Sequence, residues 1–250
     1  MIQLKNSQQI SAMMEAGRIT GEALLLAREH IREGVSTAEI DKVIRDYIER
    51  CGAKPSFLGY GGFPGSACIS INDEVIHGIP SKKRILMEGD IVKVDVGAFY
   101  KGYHGDCACT YVVGDTSDEA KQLIEVTKES FFRGIELAVP GNRIGDISFA
   151  IEQYVTPFGY SMVRDFVGHG IGTALHEDPE VPNFGSSGRG PRLCEGMTLA
   201  VEPMVNQGTW QVKTLSNNWT VVTLDGKLSA HYENTIAITE NGPVILTDEN

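Results

Sequence analysis

The sequence lacks the segments that direct a protein into or across a membrane. Residues Met1 to Asn6 contain no apolar export core, and no later stretch is long enough to span a bilayer. The 250 residues also contain no low-complexity tract and no Pro/Ser-rich linker that would separate domains. We therefore expect a cytoplasmic protein with no membrane partner.

A disulfide framework is also missing. The five cysteines are an odd number without a disulfide pattern, which suits a reducing compartment. Cys107 and Cys109 can share one face of a strand, but no second pair completes a zinc set. We expect both to be small core residues.

Positive charge is scarce. The formal net charge is -11, and Lys82-Lys83-Arg84 forms the only basic cluster, which we interpret as a solvated loop. Because a polyanion would be repelled at long range, this balance argues against nucleic acid and anionic membranes and predicts no direct DNA binding.

An apolar strand with an acid in its middle is the feature around which the chain is organised. Asp95 lies within the apolar run Asp90 to Ala98, where alternation directs its side chain inward. The short segment Phe99 to His104 predicts a hairpin that brings Asp106 beside Asp95 on an antiparallel strand. One interpretation is a structural salt bridge to Lys93 or a nearby arginine. The other is a bound cation, because two carboxylates in an apolar sheet repel each other.

An internal repeat favours the cation. An offset of 107 residues carries Gly34 onto Gly141 and Asp95 onto Glu202, while Asp106 corresponds to Glu233 with a longer second hairpin. Four acids would then meet at a pseudo-twofold axis. We expect one domain over residues 1–250, built from halves of about 10–114 and 117–246.

Periodicity predicts two helix pairs that precede the acid-bearing hairpins. Ser7 is expected to cap a helix with Ile10, Met14, Leu24 and Ile31 on one stripe, and Ser36 with Glu39 to open the second by a capping box. Thr116 with Glu119 should open the third, and residues 144–155 should form the fourth.

The remaining signals complete an α+β class. Ala67 to Asn72 and Glu74 to Ile79 alternate as a hairpin carrying His77, and Gly-rich loops span residues 59–65 and 168–172. Those glycines lack the setting of a phosphate loop, and we expect them to let backbone approach closely around a bound group. We predict a mostly antiparallel, curved sheet backed on one side by helices, with the acids on its concave side.

The chemistry of these residues suits a pair of metal ions. Asp95, Asp106, Glu202 and Glu233 offer oxygen, and His169, flanked by glycines, could offer one nitrogen. This set suits divalent Co, Mn, Fe or Zn, and four gathered negative charges call for more than one dication.

Several motifs resemble the type I methionine aminopeptidases, in the compact bacterial form without an N-terminal zinc-binding extension. The resemblance runs from about Ile10 to about Leu246 and rests on residues 71–80, 95–97, 105–106, 168–172, 176–177, 201–203 and 232–233. It implies the pita-bread fold. It also implies that Asp106 and Glu233 bridge two metals, that Asp95 holds one, and that His169 with Glu202 holds the other.

The resemblance also implies a reaction. A hydroxide formed from water that bridges two metals would attack the first peptide bond, with Glu202 as general base. The enzyme would remove the initiator methionine from new chains whose second residue is small. The expected partners are nascent polypeptide N-termini at the ribosome, and the expected state is a monomer.

The resemblance further assigns substrate-side residues. His176 and His77 would act beside the scissile bond, although either histidine alone is as well explained by packing. The methionine side chain would contact residues matching Phe57, Tyr60, Phe63, Cys68, His77, Leu175 and Trp219. Phe57, Phe63, Leu175, His231 and Asn234 depart from the common family residues, which bears on the shape of the pocket rather than on the reaction.

Two other functions are compatible with this fold. Aminopeptidase P and prolidase share it but carry a large N-terminal domain, which makes Xaa-Pro cleavage the weaker hypothesis. A non-catalytic binding protein would be expected to lose ligands first, and none of the five is missing. Metal content and hydrolysis of Met-Gly-Xaa peptides would separate these readings.

Overall fold

The computed structural model describes residues 1–248, which form four α-helices and fifteen strands. The helices are α1 Ser7–His30, α2 Thr37–Arg50, α3 Asp118–Ile135 and α4 Ile144–Val155. The strands are β1 Lys54–Pro55, β2 Ala67–Ile71, β3 Glu74–Ile76, β4 Ile91–Tyr100, β5 Tyr103–Val112, β6 Ser161–Met162, β7 Gly168–Gly170, β8 Glu177–Val181, β9 Thr198–Val201, β10 Met204–Asn206, β11 Val212–Thr214, β12 Val221–Thr223, β13 Ser229–His231, β14 Glu233–Thr239 and β15 Gly242–Ile245.

The first helix begins one residue earlier than its sequence signal suggests. Asn6, not Ser7, is the cap, because its side chain accepts from the Gln9 amide while the Gln9 side chain accepts from the Asn6 amide. The predicted apolar stripe is wrong at Met14, which is 48% exposed. Small residues such as Ala16 and Ala23 form the buried face instead, which lets the helix lie close to the sheet.

Two of the other helix starts follow the prediction. Ser36 and Glu39 form the expected capping box of α2, and α4 spans the predicted residues. The start of α3 is one residue off, because Ser117 caps it while the Thr116 hydroxyl donates to the Gly89 carbonyl. Local hydrogen-bond competition of this kind decides which of two adjacent capping residues is used.

A nine-stranded sheet forms the centre of the molecule. Its main path runs β1-β4-β5-β14-β9-β7-β8, with β2 paired to β4 and β15 paired to β14. Every strand pair within the described residues is antiparallel. The hairpin predicted around residues 99–104 is confirmed as β4 and β5, and the second hairpin as β9 and β14.

The hairpin predicted for residues 67–79 is wrong. Both strands exist, but β2 pairs with β4 in the main sheet and β3 pairs with β12 in a smaller sheet. His77 follows β3 rather than lying within it. The alternating pattern identified the strands correctly, whereas their partners lie far away in sequence.

Helices cover one face of the sheet through two large apolar clusters. One cluster joins α1 and α2 to β4 and β5, and includes Ile19, Ile44, Val94 and Cys107. The other joins α3 and α4 to β9 and β14, and includes Phe131, Ile147 and Leu199. Cys107 and Cys109 both pack in the first cluster, as expected, and none of the five cysteines, all of which lie within residues 1–248, forms a disulfide. The α+β class with an antiparallel, helix-backed sheet is therefore confirmed.

No helix within residues 1–248 combines the length and the apolar character needed to cross a lipid bilayer.

Candidate metal centre

The pairing of three central strands aligns the first carboxylates. Asp95 on β4 lies opposite Ala108 on β5, and Ala108 lies opposite Glu233 on β14. Residues directly opposite one another share a face of the sheet, so the small Ala108 side chain separates two carboxylates. Asp106 lies two residues before Ala108 and therefore points to that same face.

His169 approaches these acids from strand β7. Its Nδ1 lies 2.9 Å from the Gly170 carbonyl oxygen, so Nδ1–H is the donor and Nε2 is left as the acceptor. Nε2 lies 3.6 Å from Glu202 Oε1 and 4.0 Å from Asp106 Oδ2. Burial, then the neighbouring His176, lower the pKa of His169 to about 4, which keeps it in the neutral form that binds metals.

The glycines beside His169 are required for a different reason from the one expected. Residues 168–170 form a strand rather than a loop, and the glycines meet neighbouring backbone rather than a ligand. A Cβ atom on Gly168 would lie 2.4 Å from the Ala200 carbonyl oxygen, and one on Gly170 would lie 2.2 Å from that of Asp178. Only glycine allows β8 and β9 to approach this closely on both sides of His169.

Glu202 and Glu233 occupy strand ends. Glu233 begins β14, as predicted, whereas Glu202 comes directly after β9 and not in mid-strand. The Asn183 side-chain amide donates to the Glu202 carbonyl oxygen at 2.8 Å and fixes the backbone at this point. Both carboxyl groups are largely buried, with side-chain exposures of 12% for Glu202 and 3% for Glu233.

The four acids strongly perturb one another. Burial raises the pKa of Asp106, Glu202 and Glu233 well above the usual values, and neighbouring carboxylates raise each further. Burial also raises the pKa of Asp95 to about 7. Four buried carboxyl groups this close cannot all ionise unless cations neutralise them.

Unsatisfied atoms indicate what would neutralise the acids. Asp95 Oδ1, Asp106 Oδ1 and Glu233 Oε1 are buried and have no hydrogen-bond partner among the described residues. Such atoms are rare in folded proteins unless a water or an ion fills the site. Asp106, His169 and Glu233 form one group that could hold a metal ion, and Asp95, His231 and Glu233 form another. The donor set therefore fits divalent ions.

Lys93 does not supply the missing charge. Its ammonium group donates to the Asn72 carbonyl oxygen at 2.7 Å, and no ion pair to Asp95 occurs within residues 1–248. The salt-bridge interpretation of Asp95 is thus not supported.

A single cavity of about 200 Å³ contains the predicted site. Its volume is below the roughly 300–1,000 Å³ that is typical of drug-sized ligands, and it suits one amino-acid side chain. The lining comprises Phe57, Tyr60, Gly61, Phe63, Cys68, His77, Asp95, Asp106, His169, Leu175, His176, Glu202, Trp219 and Glu233. Every residue predicted to bind metal or substrate is in that set, and Gly61 is the one addition.

The cavity has an apolar floor and a polar mouth. Phe57, Phe63, Cys68 and Leu175 are all buried, with exposures between 2% and 8%. The edge of Phe63 meets the Trp219 ring at a centroid distance of 5.1 Å, which leaves a slot lined by aromatic rings and sulfur. A thioether packs favourably in such surroundings.

His176 stands at the mouth of the cavity. Its Nδ1 lies 2.7 Å from the Tyr60 hydroxyl, and its ring lies 4.2 Å from that of His169. Burial lowers the pKa of His176. The hydrogen bond fixes the ring, so that Nε2 is the nitrogen available to a bound peptide.

His77 has a left-handed backbone, with φ of 58°. Its ring packs edge-on against Phe166 and Trp219. Left-handed backbone is uncommon for residues other than glycine, and it occurs frequently at functional sites.

The departures from the family pattern fall into two groups. Phe57, Phe63 and Leu175 line the cavity, and His231 lies behind the acids. Asn234 is outside the cavity, where its side-chain carbonyl accepts from the Thr247 hydroxyl at 2.7 Å. His231 was not predicted as a site residue, although its position two residues before Glu233 was a usable signal.

Comparisons with known proteins agree with this geometry. Residues 11–240 match the Metallopeptidase family M24. The methionine aminopeptidase of Clostridium acetobutylicum is 60% identical over 247 residues, and methionine aminopeptidase 1 of Bacillus subtilis is 52% identical, with 99% of this chain and of the relative covered in both cases.

Solved structures show the same relationship. The crystal structure of methionine aminopeptidase from Thermotoga maritima superposes with a TM-score of 0.98 at 45% identity and covers 100% of both chains. The prolidase from Pyrococcus furiosus gives a TM-score of 0.79 at 26% identity, over 99% of this chain and 66% of that chain. These similarities confirm the pita-bread fold.

Proposed function

We propose a two-metal mechanism for this chain, which belongs to metallopeptidase family M24 and, within it, to the methionine aminopeptidases. The chain is a metal-dependent hydrolase that removes N-terminal methionine. The proposal concerns how it does so, with which residues, and on which chains. The observation that carries it is the convergence of Asp95, Asp106, His169, Glu202 and Glu233 on one small cavity, where three of the five have a buried oxygen without a hydrogen-bond partner.

Five side chains would hold two divalent ions. Asp106 and Glu233 would be ligands of both ions, Asp95 would help to hold one, and His169 with Glu202 would help to hold the other. When bound, such ions supply Lewis acidity and lower the pKa of water to about 7 in the best-known zinc case. The orphaned carboxylate oxygens and the acceptor Nε2 of His169 support this assignment.

Glu202 and the two cavity histidines would handle protons and the scissile bond. Glu202 would accept a proton on its carboxylate and deliver it to the departing amine. His176, held by Tyr60, would donate from Nε2 to the scissile group, and His77 would be a second histidine on the substrate side. The short distances within this lining support the assignment.

The cavity would select methionine by shape and polarizability. Phe57, Phe63, Cys68, Leu175 and Trp219 would enclose the thioether, and Tyr60 with His77 would lie nearer the backbone. The volume of about 200 Å³ leaves little room beyond one side chain, which supports cleavage after a terminal residue. We propose that the second residue must be small.

The cellular setting forms part of the proposal. We propose a monomeric, single-domain protein of residues 1–250 that acts in the cytoplasm on nascent chains at the ribosome. Five cysteines without a disulfide among residues 1–248 support a reducing compartment.

A reconstitution experiment tests the proposed function. The protein is stripped of metal and then reloaded with Co²⁺, Mn²⁺, Fe²⁺ or Zn²⁺. Activity is assayed on Met-Xaa peptides whose second residue increases in size, and on Ala-Pro peptides. We expect activity only after reloading, a preference for small second residues and no Xaa-Pro cleavage.

Glu233→Ala should remove the metal pair and abolish turnover, because Glu233 belongs to both possible metal groups. Activity that survives complete metal removal, or full activity of Glu233→Ala, would overturn the proposal.

A further inference from the structure

His231 is a buried histidine to which the proposed mechanism assigns no role. Its side chain is only 2% exposed, and neither ring nitrogen has a hydrogen-bond partner among residues 1–248. An imidazole that is buried without any partner is unfavourable. The side chain is therefore expected to have a partner that is absent from the protein itself.

The backbone fixes this side chain behind the acid cluster. The Thr110 hydroxyl donates to the His231 carbonyl at 2.8 Å and accepts from the His231 amide at 2.9 Å. His231 ends β13, and Glu233 begins β14 two residues later, so both side chains reach the same region.

The distance from the His231 ring to Glu233 is that of two ligands on a common ion. His231 Nε2 lies 3.8 Å from Glu233 Oε2 and 3.9 Å from Glu202 Oε2. Both distances are too long for hydrogen bonds. Two atoms that each bind one ion at about 2.1 Å can be at most about 4.2 Å apart, so the 3.8 Å between His231 and Glu233 allows both to bind the same ion.

A second histidine would give an imidazole ligand to the ion that His169 does not bind. The atoms of Asp95, His231 and Glu233 lie within 4.8 Å of one another, separately from the group of Asp106, His169 and Glu233. We propose that His231 Nε2 is a direct ligand of the ion held by Asp95 and Glu233. Each of the two ions then has one imidazole, which shifts the centre toward Fe²⁺, Co²⁺ or Zn²⁺ and away from Mn²⁺.

This inference rests on the proposed function, since both require a metal pair. X-ray absorption spectroscopy of the cobalt-loaded full-length protein tests it by counting imidazoles per cobalt, alongside cobalt content. The wild type should show about two imidazoles per two cobalt ions. His231→Gln, which keeps a polar side chain, and His169→Gln should each lower that count by about one.

His30→Gln is the matched control, because His30 ends α1, its Nδ1 lies 2.9 Å from the Leu26 carbonyl oxygen, and it is not part of the cavity lining. It should leave the count unchanged. A wild-type count of about one imidazole per two cobalt ions would overturn the inference even if His231→Gln fails to fold. An unchanged count in folded His231→Gln would do the same. A protein that binds no cobalt would overturn the proposed function as well, so the two failures are distinguishable.

Discussion

Ala108 shows how one small residue makes room for a metal centre. It is 1% exposed and lies between Asp95 and Glu233 on neighbouring strands. A larger side chain would fill the space between the two carboxylates. The neighbouring Cys107 and Cys109 point to the opposite face, where they pack beneath the helices.

We predict that Ala108→Val sharply lowers metal content. The added methyl groups occupy the ion site, and overpacking costs about 1–3 kcal/mol of unfolding free energy. Metal analysis of the purified variant measures the effect. Cys109→Ala, on the other face of β5, serves as the control and should retain its metal. Normal metal content in folded Ala108→Val would show that the ions do not occupy the space beside Ala108.

The hydrogen bond between Tyr60 and His176 gives a second residue-scale prediction. His176→Ala should keep its metal but lower kcat by about 10²–10⁴-fold. Tyr60→Phe loses only the positioning bond, so kcat should fall roughly two- to tenfold. Steady-state kinetics with metal analysis measures both variants.

Coupling between these residues separates positioning from a general loss of structure. Tyr60→Phe should have no further effect in a His176→Ala background, because the bond is already absent. Tyr160→Phe is the control, since the Tyr160 hydroxyl contacts Gln122 outside the cavity. Independent, multiplicative effects of the two changes would argue against a positioning role for Tyr60.

At this scale the five proposed ligands could be identified from the sequence, but their surroundings could not. The repeat marked Asp95 and Glu202 as equivalent, whereas His231 drew notice only as an unusual neighbour of Glu233. Its closeness to Glu202 depends on how the chain crosses from β13 in a small sheet to β14 in the main sheet. Motif spacing carries no information about such a crossing.

Among the secondary-structure elements, the N-terminal segment is fastened to the loop that carries His176. The Lys5 ammonium forms an ion pair with Glu177, and the two side chains are 4% and 6% exposed. Burial raises the pKa of Glu177, but donation from Lys5 and from the Ala174 amide outweighs burial and lowers the pKa below its usual value. The pair thus stabilises the fold while Glu177 is ionised.

Lys5→Met should lower the free energy of unfolding by about 3–5 kcal/mol at pH 7, because it leaves a buried carboxylate unpaired. A carboxyl group with a lowered pKa in the folded state stabilises above its unfolded pKa and loses that contribution as pH falls. The difference between wild type and Lys5→Met should therefore shrink below about pH 4.5. Urea unfolding at pH 7 and pH 4 measures it.

The double variant Lys5→Met/Glu177→Met provides the control. Apolar replacement of both partners is often near neutral, so its stability should lie closer to wild type than that of Lys5→Met. An equal loss in Lys5→Met at both pH values would show that the ion pair is not the cause.

Element types were easier to predict than their partners. Residues 144–155 form the expected helix because their apolar spacing is local information. Residues 67–79 contain the expected strands but no hairpin, because β2 and β3 pair with β4 and β12 instead. Pairing is set by tertiary packing, which alternation alone does not encode.

Across the whole molecule, duplication explains most of what could be predicted. Each half contributes a helix pair and antiparallel strands, and the two apolar clusters follow that division. The repeat therefore predicted both the fold class and the meeting of four acids. The small sheets of β10 with β6 and β13, and of β12 with β3 and β11, were not predicted, because no repeat marks them.

Anomalous X-ray diffraction from cobalt-loaded crystals tests the two-metal centre most directly. Data collected at the cobalt edge should show two adjacent peaks, both enclosed by Asp95, Asp106, His169, Glu202 and Glu233. A single peak, no peak, or peaks away from these five side chains would contradict a two-metal centre at the end of the cavity.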